Sequence, residues 1–109
     1  MAIYFLQEFD PVPGLSEEEM IQIYRRMAKG WEESWKGNKL RGLYRRKWAL
    51  GPPPVFVAVW ELPDASSLDE WEDPEIWNAV KGHMQGIEDE FWTSVTNVRT
   101  RVMEKVELL

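Results

Sequence analysis

The chain has one histidine, His83, and two tryptophans shortly before it, Trp71 and Trp77. Imidazole is the side chain whose unperturbed pKa suits proton transfer near neutral pH, so His83 is the first candidate for a general base. An indole ring buries a large flat surface and keeps one N–H group for a partner. The stretch therefore predicts either a packed helix or a pocket in which tryptophan walls hold a planar aromatic ligand beside the histidine.

The residues that follow Pro74 repeat at helical spacing and form an apolar stripe. At about 100° per residue, His83 falls about 70° from the centre of that stripe, at its boundary. Gly82 and Gly86 lie beside it, and a glycine inside a helix costs roughly 1 kcal/mol relative to alanine. The glycines allow either the close approach of another backbone or room for a ligand. We therefore expect His83 either to hydrogen-bond Glu90 on the same flank, or another neighbour, or to border a cavity that the glycines leave open. The stripe consists of Ile76, Val80, Met84, Ile87 and Phe91.

Several kinds of site have no support in the sequence. One histidine does not provide the converging ligands that a metal ion needs, so we predict no metal site. The chain has no cysteine, which excludes disulfides, thiolate sites and a cysteine nucleophile. Ser66, Ser67 and Ser94 lack the sequence context of a nucleophile elbow. The net charge of −6 makes nucleic acid an improbable partner, because phosphate binding needs concentrated positive charge.

The stretch LRGLYRRKW contains a cluster of basic residues, namely Arg41, Arg45, Arg46 and Lys47. One interpretation is the solvated face of a strand that nearby acidic residues balance. The other is the rim of a pocket for an anionic ligand.

The elements that must position these residues follow from hydrophobic periodicity and turn signals. Ser16 and Glu19 form a capping-box pattern that begins the first helix, and 36–38 ends it. Asp73 and Pro74 begin the second helix, which we expect to run to about residue 95. A short helical turn is expected in PDASSLDEWE, and the prolines after Gly51 form a turn. The predicted strands are 2–9, 39–50, 55–62 and 97–108.

This β-α-β-β-α-β order predicts an α+β protein with the ferredoxin-like fold, in which two helices cover one face of an antiparallel sheet. We expect residues 1–109 to form one domain, since length and the hydrophobic content of 44% suit one core. The strand 55–62 is apolar on both faces, so its second face must also be covered. The cover is expected to be a second copy, which predicts a homodimer through the sheet faces.

No apolar run is long enough to cross a membrane, and no signal peptide is recognised at the beginning of the sequence. We therefore expect a cytoplasmic protein with no membrane partner.

The stretch VFVAVWELPDASSLDEWEDPEIWNAVKGHM resembles the centre of the antibiotic biosynthesis monooxygenase family. A hydrophobic strand ends in a tryptophan and an acid, here Trp60 and Glu61, and a helix then leads to a histidine. The resemblance covers residues 3–108 in topology and 55–84 in motif. It implies the dimeric α+β barrel, with a ligand pocket between the sheet and the helices of each subunit.

That family includes cofactor-independent oxygenases that act on polyketide-like aromatic compounds and monooxygenases that degrade haem. Related barrels are polyketide cyclases or lactone isomerases, or have no known activity. The resemblance matches Trp71 to a pocket tryptophan of the haem-degrading members. Their haem ligand corresponds to Lys81, two positions before His83, and their first-strand asparagine corresponds to Gln7. These departures favour chemistry without a cofactor, and haem is the alternative.

The first hypothesis is an enzyme that acts on a planar hydrophobic molecule, with His83 as base and Trp71 and Trp77 as walls. Tyr44 or Arg46 would reach the developing oxyanion, and Gln7 would contact the substrate. A cofactor-independent monooxygenase and a polyketide cyclase both fit this arrangement. The second hypothesis is a protein that binds haem or another planar ligand without turnover, and the third is a dimer whose tryptophans all belong to the core.

Overall fold

The structure is a computed structural model that describes residues 2–35, 37–47, 55–71, 73–84 and 86–108. Its elements follow the predicted order, except that the helix predicted after Pro74 is divided into two. The elements are β1 (Ile3–Pro11), α1 (Glu17–Ser34), β2 (Lys39–Arg45), β3 (Phe56–Leu62), α2 (Ser67–Glu70), α3 (Pro74–Met84), α4 (Ile87–Ser94) and β4 (Val95–Glu104).

The four strands form one antiparallel sheet in the order β2-β3-β1-β4. Alternate residues of the two central strands face the helices, and Phe9 pairs with Phe56 while Phe5 pairs with Trp60. These side chains join the buried faces of α1, α3 and α4 in one hydrophobic core. The predicted α+β class and ferredoxin-like fold are therefore confirmed.

The opposite side of the sheet, which we call the outer face, carries the alternate residues of the same strands. Leu6 pairs with Val59 across β1 and β3, and Val57 lies one step along the same face. All three are only half-buried, and the described helices pack on the other side. Two large side chains at this face, Tyr44 and Met103, are 57% and 47% exposed. The outer face is thus apolar at its centre, as the pattern of 55–62 predicted.

The prediction of one continuous helix after Pro74 was wrong. Gly86 has φ of 85°, in the left-handed region that glycine enters without a Cβ penalty, and it separates α3 from α4. This turn explains why a glycine occupies position 86. At Gly82 an added Cβ would meet no atom within 4 Å, so no neighbouring backbone of the described chain requires a glycine there.

Three strand boundaries also differ from the prediction. The first strand continues through Pro11, which pairs with Val95, after an irregularity between Glu8 and Asp10. Asp10 explains the extension, because its buried carboxylate accepts hydrogen bonds from the Val55 backbone at 2.7 Å and from the Asn97 side chain at 3.0 Å. These contacts join three strands at a point where the local sequence indicates only a break. The second strand ends at residue 45, and the fourth spans 95–104.

The first helix begins as predicted. The Ser16 hydroxyl accepts a hydrogen bond from the Glu19 backbone, and the Glu19 carboxylate accepts one from the Ser16 backbone. The predicted short helix after the third strand is also present, as α2. The predicted turn at 51–54 lies outside the described residues. Within the described part of the chain, no helix combines the length and apolar character needed to cross a membrane.

Candidate functional site

A cavity lies between the helix-covered face of the sheet and the helices. Its volume is about 100 Å³, which is below the roughly 300–1,000 Å³ typical of small-molecule sites. We call it the tryptophan pocket, because five of the seven tryptophans of the chain line it. Its described lining residues are Phe5, Gln7, Trp31, Trp35, Trp71, Trp77, Trp92 and Thr100.

Every described layer of the fold contributes to this lining. Trp31 lies on the last turn of α1 and Trp35 directly follows the end of that helix, and both residues line the pocket. On the sheet, Gln7 of β1 pairs directly with Thr100 of β4. Thr100 is exposed and Trp92 of α4 is 44% exposed. The pocket therefore opens beside β4, an edge strand of the sheet.

The rings that line the pocket meet at steep angles. Trp35 contacts Trp31 at 6.1 Å between ring centroids and Trp77 at 5.2 Å, with interplanar angles of 74° and 76°. Phe5 meets Trp71 at 4.7 Å and 89°. Edge-to-face contacts are favourable for aromatic pairs. They also hold the rings as rigid, angled walls, which suits a flat guest.

The indole N–H groups of the pocket are incompletely satisfied. Trp77 donates to the backbone oxygen of Trp71. By contrast, the indole nitrogens of Trp31, Trp35 and Trp71 are buried and have no hydrogen-bond partner in the described structure. A buried donor without a partner costs about 1–3 kcal/mol.

The polar group at the floor of the pocket belongs to Gln7, whose residue is only 1% exposed. The indole N–H of Trp60 donates to the Tyr24 hydroxyl at 2.8 Å, and that hydroxyl donates to Oε1 of Gln7 at 2.9 Å. Burial raises the pKa of Tyr24 far above its ordinary value, with the Trp60 hydrogen bond opposing in part. The phenol is therefore neutral and remains a donor across the physiological pH range.

Three of the residues predicted for the site come together in this pocket. Gln7, Trp71 and Trp77 all line it. The other lining residues were missed, Trp31 and Trp35 among them. Their spacing is the same for a core position and for a pocket position, so the sequence offered no signal to separate the two.

Tyr44 and Arg46, the predicted oxyanion contacts, are not among the described lining residues. Tyr44 lies on the outer face opposite Val57, and its ring covers Gly42, where an added Cβ would come within 2.8 Å of it. Arg46 is exposed just beyond the end of β2. Both residues belong to the region of β2, the edge strand farthest from β4, so the strand order separates them from the mouth of the pocket.

The side chain of His83 lies outside the described part of the structure. Its position in α3 follows Trp77 by six residues, which corresponds to about 120° around a helix axis. The carboxylate of Glu90, its expected partner, bonds Arg26 twice, at 2.8 and 3.2 Å. That His83 borders a cavity remains a prediction.

Ionisable groups are absent from the described lining of the pocket. Nor do the described residues contain a group of acidic, histidine or cysteine side chains suited to a metal ion. In the basic cluster, Arg41 pairs with Glu61 at 2.8 Å and lowers the pKa of that carboxyl, and Arg45 pairs with Glu17 at 2.5 Å. These pairs match the interpretation of a solvated, charge-balanced surface.

The chain matches no protein-family model, and a comparison with curated proteins also gives no match. Solved structures do match over nearly the whole length. One is a NIPSNAP family protein from Agrobacterium tumefaciens, with TM-score 0.73, 11% identity, and coverage of 98% of this chain and 95% of that one. Another is SnoaB, a cofactor-independent oxygenase from Streptomyces nogalater, with TM-score 0.67, 13% identity, and coverage of 99% and 96%.

A third is a dimeric ferredoxin-like protein of unknown function from Thermobifida fusca, with TM-score 0.58, 10% identity, and coverage of 94% and 90%. Identities this low establish the fold alone. The fold that these structures share with the chain is the ferredoxin-like fold, so the resemblance found in the sequence is confirmed at the level of the fold.

Proposed function

We propose that this protein binds a planar, hydrophobic small molecule in the tryptophan pocket and oxidises it as a cofactor-independent monooxygenase. The observation that carries the proposal is the pocket itself, whose walls are five indoles and whose floor is the Gln7 side chain. Aromatic walls with very few polar groups are typical of sites for flat organic molecules. The structural likeness to an oxygenase of this kind adds support at the level of the fold.

The chemistry requires a substrate with an acidic CH₂ group whose carbanion is conjugated with a carbonyl, as in anthrone. Removal of one proton gives a carbanion that transfers an electron to O₂. The CH₂ carbon then gains one oxygen atom as a carbonyl, and its two hydrogens leave with the other oxygen as water. No outside reductant is needed. The protein supplies a base and a site that excludes water.

His83 is the proposed base. Because the described lining of the pocket contains no ionisable side chain, a base must come from elsewhere, and imidazole has the suitable pKa. The proposal is therefore that the His83 imidazole reaches the substrate from α3. Replacing it should remove turnover while leaving binding to the tryptophan walls nearly intact.

The test is oxygen uptake with anthrone as substrate, together with the absorbance of the anthraquinone formed. We expect one O₂ consumed per anthrone and a loss of at least about 100-fold in His83→Ala, as for removal of a general base. Thr100→Phe should also abolish uptake by filling the mouth of the pocket. Thr96→Phe is its matched control, since Thr96 is exposed on the same strand and is not among the lining residues. No uptake above the uncatalysed rate would reject the monooxygenase proposal for this class of substrate.

A second candidate function is binding without turnover, which the absence of ionisable groups from the described lining favours. Haem is one possible ligand of this kind. The described lining provides neither an axial ligand nor a cation for the propionates, so it fits haem poorly, and His83 would have to supply the axial bond. A haemin titration followed by its absorption spectrum, with His83→Ala beside the wild type, decides this. A sharp Soret band at one equivalent that the variant loses would establish haem binding.

The homodimer is also proposed to form through the outer face. Leu6, Val57 and Val59 provide an apolar centre that the described helices do not cover. Isologous packing of two such faces would bury this centre around a two-fold axis. The dimeric description of structurally similar proteins supports the same arrangement.

Light scattering at micromolar concentration tests the dimer. The wild type should have twice the chain mass. Val59→Glu should be monomeric, because two buried carboxylates would face each other across the axis. Val106→Glu is the control, since Val106 is 73% exposed beyond the end of β4. A monomeric wild type would reject the proposed dimer.

A further inference from the structure

We propose that the tryptophan pocket recognises an acceptor oxygen of its ligand through the side-chain NH₂ of Gln7, and that Trp60 and Tyr24 hold this donor in position. The inference rests on the proposed function in assuming that the pocket holds a ligand. It goes further by assigning a specificity-determining residue, two positioning residues and a ligand class, namely planar aromatics that carry a carbonyl or phenolate oxygen.

The orientation of the Gln7 amide follows from the hydrogen-bond donors and acceptors of Tyr24 and Trp60. An indole nitrogen can only donate, so the Tyr24 hydroxyl must accept from Trp60. The hydroxyl then has one hydrogen left, and only an acceptor can receive it. That acceptor is Oε1 of Gln7, at 2.9 Å. The alternative amide orientation would place two donors against each other.

The other half of the Gln7 side chain is therefore the half offered to a ligand. With Oε1 occupied by Tyr24, the NH₂ group is the means by which Gln7 can bind a molecule in the pocket it lines. Gln7 is only 1% exposed. A buried amide that forgoes a hydrogen bond loses free energy, so a bound oxygen atom would relieve that cost.

The indole nitrogens of Trp31 and Trp35 add little to this recognition. Both residues line the pocket, but the nitrogens themselves are buried and have almost no accessible surface for a ligand atom. The NH₂ group of Gln7 is therefore the donor on which the inference rests.

Two probes of nearly equal shape isolate this interaction. The first is 9-fluorenone, which has three fused rings and one carbonyl, and the second is fluorene, which lacks the oxygen. Binding of each is measured by equilibrium dialysis against the wild type, Gln7→Met and Gln22→Met. Gln22 is the matched control, because it is exposed on α1 and bonds Arg25 at the surface.

We expect Gln7→Met to weaken fluorenone binding about three- to tenfold, the size of one neutral hydrogen bond, and to leave fluorene binding unchanged. Gln22→Met should change neither. The carbonyl stretching frequency of bound fluorenone should be lower in the wild type than in Gln7→Met, because a hydrogen bond weakens the C=O bond. The carbonyl frequency reports on the hydrogen bond itself. A general loss of packing in the variant would not produce the same change in frequency.

Tyr24→Phe tests the positioning role, since its ring can still pack while its hydroxyl is gone. The variant should weaken fluorenone binding, spare fluorene binding and broaden the carbonyl band, because the amide is no longer held in one orientation.

The binding measurements distinguish failure of the proposed role of Gln7 from failure of the proposed ligand pocket. Equal loss of both probes in Gln7→Met, or an unchanged carbonyl frequency, would overturn the role of Gln7 while the ligand pocket stands. If the wild type binds neither probe, the pocket proposal fails and this inference with it.

Discussion

Phe9 and Phe5 project from the same side of β1, four residues apart, into two very different parts of one aromatic core. Around Phe9 the rings fill the space between sheet and helices. It stacks on Tyr24 at 5.2 Å and on Phe56 at 5.7 Å, and it meets Phe91 edge-on at 5.5 Å. These four residues are at most 1% exposed. We call this the packed end.

At the other end, Phe5 faces the tryptophan pocket. Here the rings are larger, yet they leave a cavity of about 100 Å³. Three of their indole N–H groups have no partner in the described structure, whereas the one polar group at the packed end, the Tyr24 hydroxyl, is bonded on both sides.

The difference shows that aromatic content alone does not decide whether a region is core or site. Close packing and paired polar atoms are what stability selects. Empty space and unpaired donors cost stability, and their concentration at one end of the core supports the proposed ligand pocket. Three comparisons of matched variants would test this division, beginning with the largest expected effect.

Truncating a ring at each end should have unequal effects on stability. Phe9→Ala is expected to lower the free energy of unfolding by about 3–5 kcal/mol, because it leaves a cavity among closely packed rings. Phe5→Ala should cost less than about 3 kcal/mol, because Phe5 is only partly buried and already borders empty space. Urea denaturation of both variants measures the difference. Equal losses would mean that the two ends are equally packed.

Removing the Tyr24 hydroxyl should have an intermediate effect. Tyr24→Phe is expected to cost about 1–3 kcal/mol at neutral pH, because Trp60 loses its acceptor and Gln7 its donor. Burial raises the pKa of Tyr24 in the folded chain above the ordinary phenol value of 10.0. Above about pH 10 the unfolded chain releases the phenol proton while the folded chain keeps it. The stability conferred by the buried neutral phenol is therefore complete below pH 10 and is lost as the pH rises.

The expected decline is about 1.4 kcal/mol per pH unit above pH 10. Denaturant unfolding of the wild type and Tyr24→Phe between pH 9 and 11 measures this decline. The variant should lack the part of the decline that comes from the Tyr24 phenol. Tyr44→Phe, which removes a phenol that is 57% exposed, is the control and should decline as the wild type does. Parallel curves for the wild type and Tyr24→Phe would contradict the expectation.

The smallest expected difference in stability is between variants of two buried tryptophans. Trp60→Phe removes an indole N–H that donates to Tyr24, whereas Trp35→Phe removes one that has no partner. The two residues are 2% and 5% exposed, so the loss of buried area is similar. We expect Trp60→Phe to be less stable than Trp35→Phe by about 1 kcal/mol. A reversed order in denaturant midpoints would imply that the Trp35 indole is satisfied in solution.

Prediction from sequence succeeded where the signal is local. The capping pattern at Ser16 identified the start of α1, and the double-sided apolar pattern of 55–62 identified β3 and its two faces. The continuous helix after Pro74 failed because an apolar stripe persists across a break when the two segments pack on the same core. Gly86 was interpreted as space beside a histidine, although its left-handed φ shows that it makes the turn.

The candidate site was predicted in part, for a related reason. Trp71 and Trp77 were selected because they precede His83 in the chain, and both line the pocket. Tyr44 was selected for its chemistry and lies on the outer face, because one residue of register determines the side of a sheet. Trp31 and Trp35 were missed as lining residues because helical spacing reports which residues are buried, and not whether the space beside them is filled.

The sequence by itself therefore determined the elements, their order and the faces that must be buried, because caps, turns and periodicity act over a few residues. Only the tertiary structure decided which residues meet. The strand order brings Thr100 beside Gln7 and leaves β2 at the far edge, and both depend on pairing between distant segments. The relay from Trp60 through Tyr24 to Gln7 likewise joins β3, α1 and β1. Its geometry exists only once all three elements have packed together.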